Sequence, residues 1–148
     1  MQASIGCAQL RKIEDFTRKR RENFDTLYKL LEDLQDSLIL PQACPDSKPS
    51  WFGFLLTCKK GVSRNAIVQH LEGKGIQTRM LFAGNFLKHP CFSTLPNDGS
   101  VYRVAGTLEN TDRILNDTFW IGVAPFMTKE MLSDMAEEIH SAVLQNRS

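Results

Sequence analysis

The stretch RMLFAGNFLKHPCF, Arg79 to Phe92, ends an apolar run in a glycine hinge, Ala83-Gly84-Asn85, and a basic turn, Lys88-His89-Pro90. A strand that exits into a hinged polar loop can present side chains to a ligand from a rigid base. Histidine is the side chain that titrates near neutrality, and the chain has His70, His89 and His140. His70 and His140 fall in helical segments among charged residues and read as surface groups. His89 lies in the hinged loop, where it reads either as an ordinary loop residue or as a base. Arginine suits a phosphate or carboxylate because its planar fork makes two bonds at once. Arg79, Arg103 and Arg113, the last beside Asp112, sit near ends of strands or helices. Together with Trp51, Phe52, Asn85 and Lys88 they suit an anionic ligand, and structural salt bridges account for the arginines equally well.

Several chemistries lack their signature. No GxSxG is present, and no local signature of a nucleophile beside a base and an orienting third group is seen. Neither GxGxxG nor GxxxxGKS/T occurs, which removes the familiar phosphate cradles. Cys7, Cys44, Cys58 and Cys91 form no CxxC pair, and no histidine stands at metal-ligand spacing. They read as free thiols of a reducing compartment, so the chain reads as cytoplasmic. A net charge of +1 argues against a nucleic-acid partner, since phosphate tracking needs a concentrated basic excess. The basic run at Arg18 to Arg21 is flanked by Glu14, Asp15, Glu22 and Asp25 and reads as a solvated helix face. No apolar run reaches membrane-spanning length, and no signal-peptide pattern opens the chain.

The elements that must position these residues follow from periodicity. At 148 residues, 42% apolar and 24% charged, the chain is expected to fold as one domain. Ile13, Phe16, Phe24, Leu27, Leu31 and Leu34 recur at three- and four-residue steps, which predicts one long amphipathic helix from about Ser4 to Leu34, within a block 1–36. SLILP at 37–41 reads as a short strand, and SWFGFLLTC at 50–58 as a strand buried on both faces. Ser63 caps a helix carrying Ile67, Val68 and Leu71. IQTRMLF is the next strand, VYRVAG a brief extended piece, LENTDRILNDTF a short helix and WIGVAP a last strand. Thr128 caps a terminal helix with Met131, Leu132, Met135, Ile139 and Val143 on one face. That order predicts an α+β layer, a small and mostly antiparallel sheet covered on one side by helices.

The same stretches carry a resemblance. MQASIGCAQLRKIEDF resembles the DMQAAIGLAQLEKLD segment of the DegT-type sugar aminotransferases and dehydratases, which have the aspartate aminotransferase fold. PSWFGF, TRMLFAGN, YRVAG and NTDRILNDTFWIGV resemble a narrower branch, the lipopolysaccharide RfbH type of CDP-4-keto-6-deoxyglucose 3-dehydrases. The resemblance runs in order over all 148 residues. It implies the small C-terminal domain of a PLP-dependent transferase fold, whose long first helix would pack on a large cofactor domain encoded upstream. The abrupt start at MQASIG is expected on that view.

What the resemblance implies for activity lies mostly outside this chain. The branch removes the 3-hydroxyl of a CDP-linked 4-keto-6-deoxyhexose, on the way to 3,6-dideoxyhexoses. It uses pyridoxamine 5'-phosphate, not covalently held, as the electron sink, with electrons from a separate flavin and iron-sulfur reductase passing through a 2Fe-2S cluster. The catalytic histidine and the cluster cysteines are implied upstream, so this fragment alone is expected to be inactive and to hold neither cofactor. A homodimer is implied. Within the chain, Phe52 matches an aromatic near the cofactor ring, and Arg79 and Asn85 match the substrate-facing loop. Arg113 matches an arginine near the substrate diphosphate. Where the family often has GNLxRQP, this chain has GNFLKHP, placing Lys88 and His89 where substrate preference could change. The alternatives are the corresponding domain of a sugar-nucleotide aminotransferase or of a GDP-sugar 3-dehydratase, or a non-catalytic binding module.

Overall fold

The structure, a computed structural model, describes residues 2–147. The expected long helix is two helices and a turn. Helix α1 (Gln2–Leu10) and helix α2 (Ile13–Leu30) meet at Arg11 and Lys12, where the Lys12 amide donates to the Gln9 carbonyl at 2.9 Å. Residues 3–16 are all exposed, so no buried stripe holds α1 in line with α2. At the other end the Leu31 amide is shared between the Leu27 and Tyr28 carbonyls, and Glu32–Asp36 tightens into a 3-10 turn that brings Leu34 into the core.

Strands β1 (Leu38–Ile39), β2 (Gly53–Cys58), β3 (Thr78–Met80) and β4 (Thr118–Gly122) form one sheet in the order β1-β2-β4-β3, and each pairing is antiparallel. Helix α3 (Arg64–Gly73) precedes β3, α4 (Glu109–Asp117) precedes β4, and α5 (Lys129–Gln145) ends the chain. Ser63 and Thr128 cap α3 and α5 as their types predict, accepting from the amides of Ala66 and Met131. The α+β class read from the sequence is the class of the structure.

One hydrophobic core joins the sheet to the helices. Phe54 and Leu56 of β2 lie opposite Ile121 and Phe119 of β4, and these four pack with Leu27, Ile67, Leu71, Leu132 and Ile139, all fully buried. Helices α2, α3 and α5 therefore cover the same face. The expectation that β2 is buried on both faces does not hold: burial alternates along it, and Gly53, Leu55 and Thr57 remain partly open. The reason is the supply of covering elements, since those three helices are spent on one side. The extended piece expected at 101–106 forms no strand, and residues 81–108 are irregular apart from two short 3-10 turns. A connection that exceeds about 12–15 residues without regular structure is commonly a functional one.

Two histidines read as surface groups instead tie α5 to its neighbours. His70 meets Glu138 at 2.8 Å, and Lys74 takes the other carboxylate oxygen at 3.0 Å. Nδ1 of His140 donates to the Ala136 carbonyl at 2.7 Å, and Nε2 faces Asp33 at 2.9 Å. Both ring nitrogens thus face oxygen acceptors, and only the imidazolium donates at both. Burial pulls the His140 pKa down, but the Asp33 carboxylate and the Ala136 carbonyl outweigh it and the net shift is upward. A folded-state pKa above the unfolded one contributes stability that is full below the unfolded value and is lost as pH rises through the folded value. The stability difference between wild type and His140→Ala, measured by urea unfolding, is therefore expected to shrink from about pH 5 to about pH 9. A difference that grows over that range would contradict this pairing.

Candidate functional site

The uncovered face of the sheet presents Gly53, Leu55, Arg79 and Trp120 in register, with Leu55 and Arg79 each directly opposite Trp120. Alternation along β4 sends Phe119 and Ile121 to the core, so Trp120 must point to this face. The indole lies over the backbone of Gly53, where an added Cβ would stand 2.6 Å from Cε3 of Trp120. Phe52, one residue before β2, meets the indole edge to face with ring centroids 5.4 Å apart and is itself 61% exposed. A glycine at 53 is thus what allows two large rings to form a corner on a sheet face.

That corner is one wall of a groove of about 880 Å³, within the range of small-ligand sites. Arg20 from α2, Arg79 from β3, Phe126 from the turn after β4 and Met131 from α5 also line it. Nη1 of Arg79 donates to the carbonyl of its neighbour Thr78 at 3.0 Å, and among the described residues it makes no ion pair. Its nearby carboxylate, Glu72, is used by the amide and hydroxyl of Thr78 at 2.6 and 2.8 Å. Those two bonds, with a smaller contribution from the Arg79 charge, hold Glu72 below the usual carboxylate range. Phe52 and Arg79, singled out from the sequence, therefore share one site.

Asn85 and Arg113 do not line that groove. Asn85 is 5% exposed, and its amide is engaged at both ends: Nδ2 donates to Asp112 at 2.7 Å and Oδ1 accepts from the Leu87 amide at 3.0 Å. Lys88 pairs with the same Asp112 oxygen at 3.0 Å. Asn85 first, then Lys88, hold the Asp112 carboxyl below its usual range. Gly84 has φ +60°, and a Cβ there would stand 2.5 Å from Cδ1 of Leu115. His89 closes the turn through Nε2 to the Ala83 carbonyl at 2.6 Å. The hinge in the RMLFAGN stretch is a clamp that seats the loop on α4. Arg113 is exposed on α4 and makes no ion pair among the described residues.

Trp51 packs against Phe24 with centroids 4.9 Å apart and belongs to the core margin. Arg103 is exposed in the irregular connection. Trp120 and Arg20 were missed by sequence reasoning. The alternation in TFWIG was the available signal for Trp120, whereas nothing in a run of basic residues distinguishes the one that turns inward.

Residues 1–140 match the DegT/DnrJ/EryC1/StrS aminotransferase family. The chain belongs to that family. It is 46% identical over 134 residues to the lipopolysaccharide biosynthesis protein RfbH of Salmonella typhimurium, covering 89% of this chain and 30% of that protein. It is 40% identical over 148 residues to the dTDP-4-dehydro-2,6-dideoxy-D-glucose 3-dehydratase of Saccharopolyspora spinosa, covering 99% and 31%. Crystal structures of GDP-4-keto-6-deoxymannose-3-dehydratase superpose with a TM-score of 0.78 at 27% identity, covering 91% of this chain and 34% of theirs. One holds a trapped PLP-glutamate geminal diamine, and one, a mutant, holds GDP-perosamine. The fold of this family member is thus shared with PLP-binding enzymes, and the chain spans about a third of the length of these relatives.

Two substitutions test the geometry. Gly53→Ala should lower stability by about 1–3 kcal/mol, because the new methyl collides with a ring held by its neighbours; an unchanged melting temperature would contradict that packing. Asp112→Ala should speed amide hydrogen exchange at residues 84–88 while leaving β2 and β4 protected. Exchange that is unchanged in the loop would show that Asp112 does not hold it.

Proposed function

We propose that the chain is the small C-terminal domain of a sugar-nucleotide 3-dehydratase of the RfbH-like branch, and that its groove forms one wall of that enzyme's site. The observation that carries this reading is the meeting of Phe52 and Arg79 beside Trp120 on the one sheet face that the helices leave open. The substrate is a CDP-linked 4-keto-6-deoxyhexose that loses its 3-hydroxyl, toward the 3,6-dideoxyhexoses of lipopolysaccharide. Support comes from the 3-dehydratase and lipopolysaccharide names of the relatives and from the GDP-sugar in a structural neighbour.

The residues here fit part of a pyridoxal or pyridoxamine 5'-phosphate site. The group, when bound, supplies an electron sink for departure of the hydroxyl. Phe52 and Trp120 offer an apolar wall that excludes water from the reacting atoms, and Arg79 offers a cation to a phosphate or sugar oxygen. Lys74 also lines the groove, with its amine tied to Glu138, and Asp134 and Glu137 stand on its α5 side. Proton transfer at the substrate is assigned to the upstream histidine that the resemblance implies.

The described residues do not fit an iron-sulfur cluster. No three of their His, Cys, Asp and Glu side chains stand together as a ligand set. Cys58 is buried, and burial, with a smaller effect of Asp117, pushes its thiol up to about 12, away from the thiolate a cluster needs. The 2Fe-2S cluster, and the reductase that would feed it, are assigned to the rest of the parent enzyme. In the same reading the parent is a cytoplasmic homodimer, and Arg113 on α4 faces the nucleotide side, while Asn85, its amide engaged within the loop, positions the loop that α4 carries.

The test is to express the gene product extended upstream and record its visible spectrum, with and without pyridoxamine 5'-phosphate, then assay it with a CDP-4-keto-6-deoxyhexose and an iron-sulfur reductase. A brown protein that releases the 3-hydroxyl supports the dehydratase. Transfer of an amino group into the sugar would overturn that assignment in favour of an aminotransferase of the same family. Turnover by the 148-residue chain alone would overturn the division of labour.

A further inference from the structure

We infer that Arg20 is a second phosphate-binding arm of the groove, acting with Arg79 on the same anionic ligand. The basic run of α2 is otherwise matched within the protein. Arg18 pairs with Asp15 and Glu22, Lys19 pairs with Asp15, and Arg21 holds the carbonyls of Lys48 and Pro49. Arg20 alone in that run turns to the groove, half-buried and with no carboxylate among the described residues. Among the described residues its one side-chain bond is a long contact from Nη1 to Ser50 Oγ at 3.5 Å, and its Nε is buried with no partner. Buried guanidinium donors are rarely left unmatched, and a cation held this way lacks the anion that would complete it.

The class of ligand follows from the pair. Arg20 and Arg79 are two planar forks lining one cavity, neither in an ion pair among the described residues, and a fork is suited to phosphate oxygens. Asp134 and Glu137, on the α5 side of the groove, carry the charge of a phosphate and repel it toward the arginines. A nucleoside diphosphate offers two adjacent phosphates to two arms, and a pyridoxamine 5'-phosphate offers one. The inference rests on the proposed reading of the groove as a sugar-nucleotide site.

Isothermal titration of the gene product extended upstream with CDP and with pyridoxamine 5'-phosphate tests it, using R20Q, R79Q, the double variant and R20K. The expected result is at least about tenfold weaker binding for R20Q, with R20K still weak because lysine lacks the fork, and a double variant that loses less than the sum. A loss confined to CDP assigns the arm to the nucleotide, and a loss confined to pyridoxamine 5'-phosphate assigns it to the cofactor. Unchanged affinity of R20Q for both ligands, or no binding of either by the wild type, overturns the inference. Ser50→Ala removes the one protein partner of Arg20 and leaves the cation, so it should bind as well as wild type; weaker binding would mean the arm is structural and would overturn the inference without relying on the fold of R20Q. If the extended gene product removes the 3-hydroxyl while R20Q binds normally, this inference falls alone. If that product transfers an amino group, the dehydratase reading falls and a phosphate arm still stands.

Discussion

Three helices packed on one face of a four-stranded sheet leave the other face open at its Trp120 end, with α4 against β2 and β4 and Thr118 buried at the far end, and that asymmetry organises the molecule. The covered face takes Phe54, Leu56, Phe119 and Ile121 into a closed core with α2, α3 and α5. Because side chains alternate along a strand, the same register that buries those four must turn Leu55, Arg79 and Trp120 outward. Core formation and site formation are therefore one event. A one-residue slip of β4 would bury Trp120 and expose Phe119, destroying both.

The outward set is shaped by what it lacks. Gly53 has no Cβ, so the Trp120 ring can lie against backbone and bring its edge to Phe52. Among the described residues Arg20 and Arg79 make no ion pair, whereas Arg18, Lys19, Lys74 and Lys88 do. This apolar corner flanked by arginines is where the proposed function seats a ligand with a ring and a phosphate. The loop after β3 is held by different physics: a buried asparagine, a carboxylate that serves it and Lys88, and a glycine packed on Leu115. That clamp fixes where the long connection leaves the sheet.

Much of this was legible in the chain because it is local. The caps Ser63 and Thr128, the three- and four-residue spacing through Phe24, Leu27 and Leu31, and the order of elements all depend on neighbours in sequence, and each is present. What was not legible depends on supply and direction in three dimensions. The SWFGFLLTC run reads as doubly buried because its residues are apolar, yet only one face finds helices to cover it. The break at Arg11 and Lys12 has no proline to announce it, and arises where the stripe stops meeting a core. Arg18, Arg20 and Arg21 are alike in sequence, yet Arg18 pairs along the helix with Asp15 and Glu22, Arg21 bonds the carbonyls of Lys48 and Pro49, and Arg20 reaches Ser50 at 3.5 Å. Phe52 and Arg79 came from the resemblance and from strand-exit logic, and the structure brings them to one groove.

The central proposal is that the open sheet face meets the sugar nucleotide. The chain has two tryptophans, one on that face and one at the core margin, so their indole N–H signals are internal reporters. Titrating the extended, nitrogen-15 labelled gene product with a CDP-hexose should move the Trp120 indole resonance and leave Trp51 in place. A shift of Trp51 with Trp120 unmoved would contradict the account.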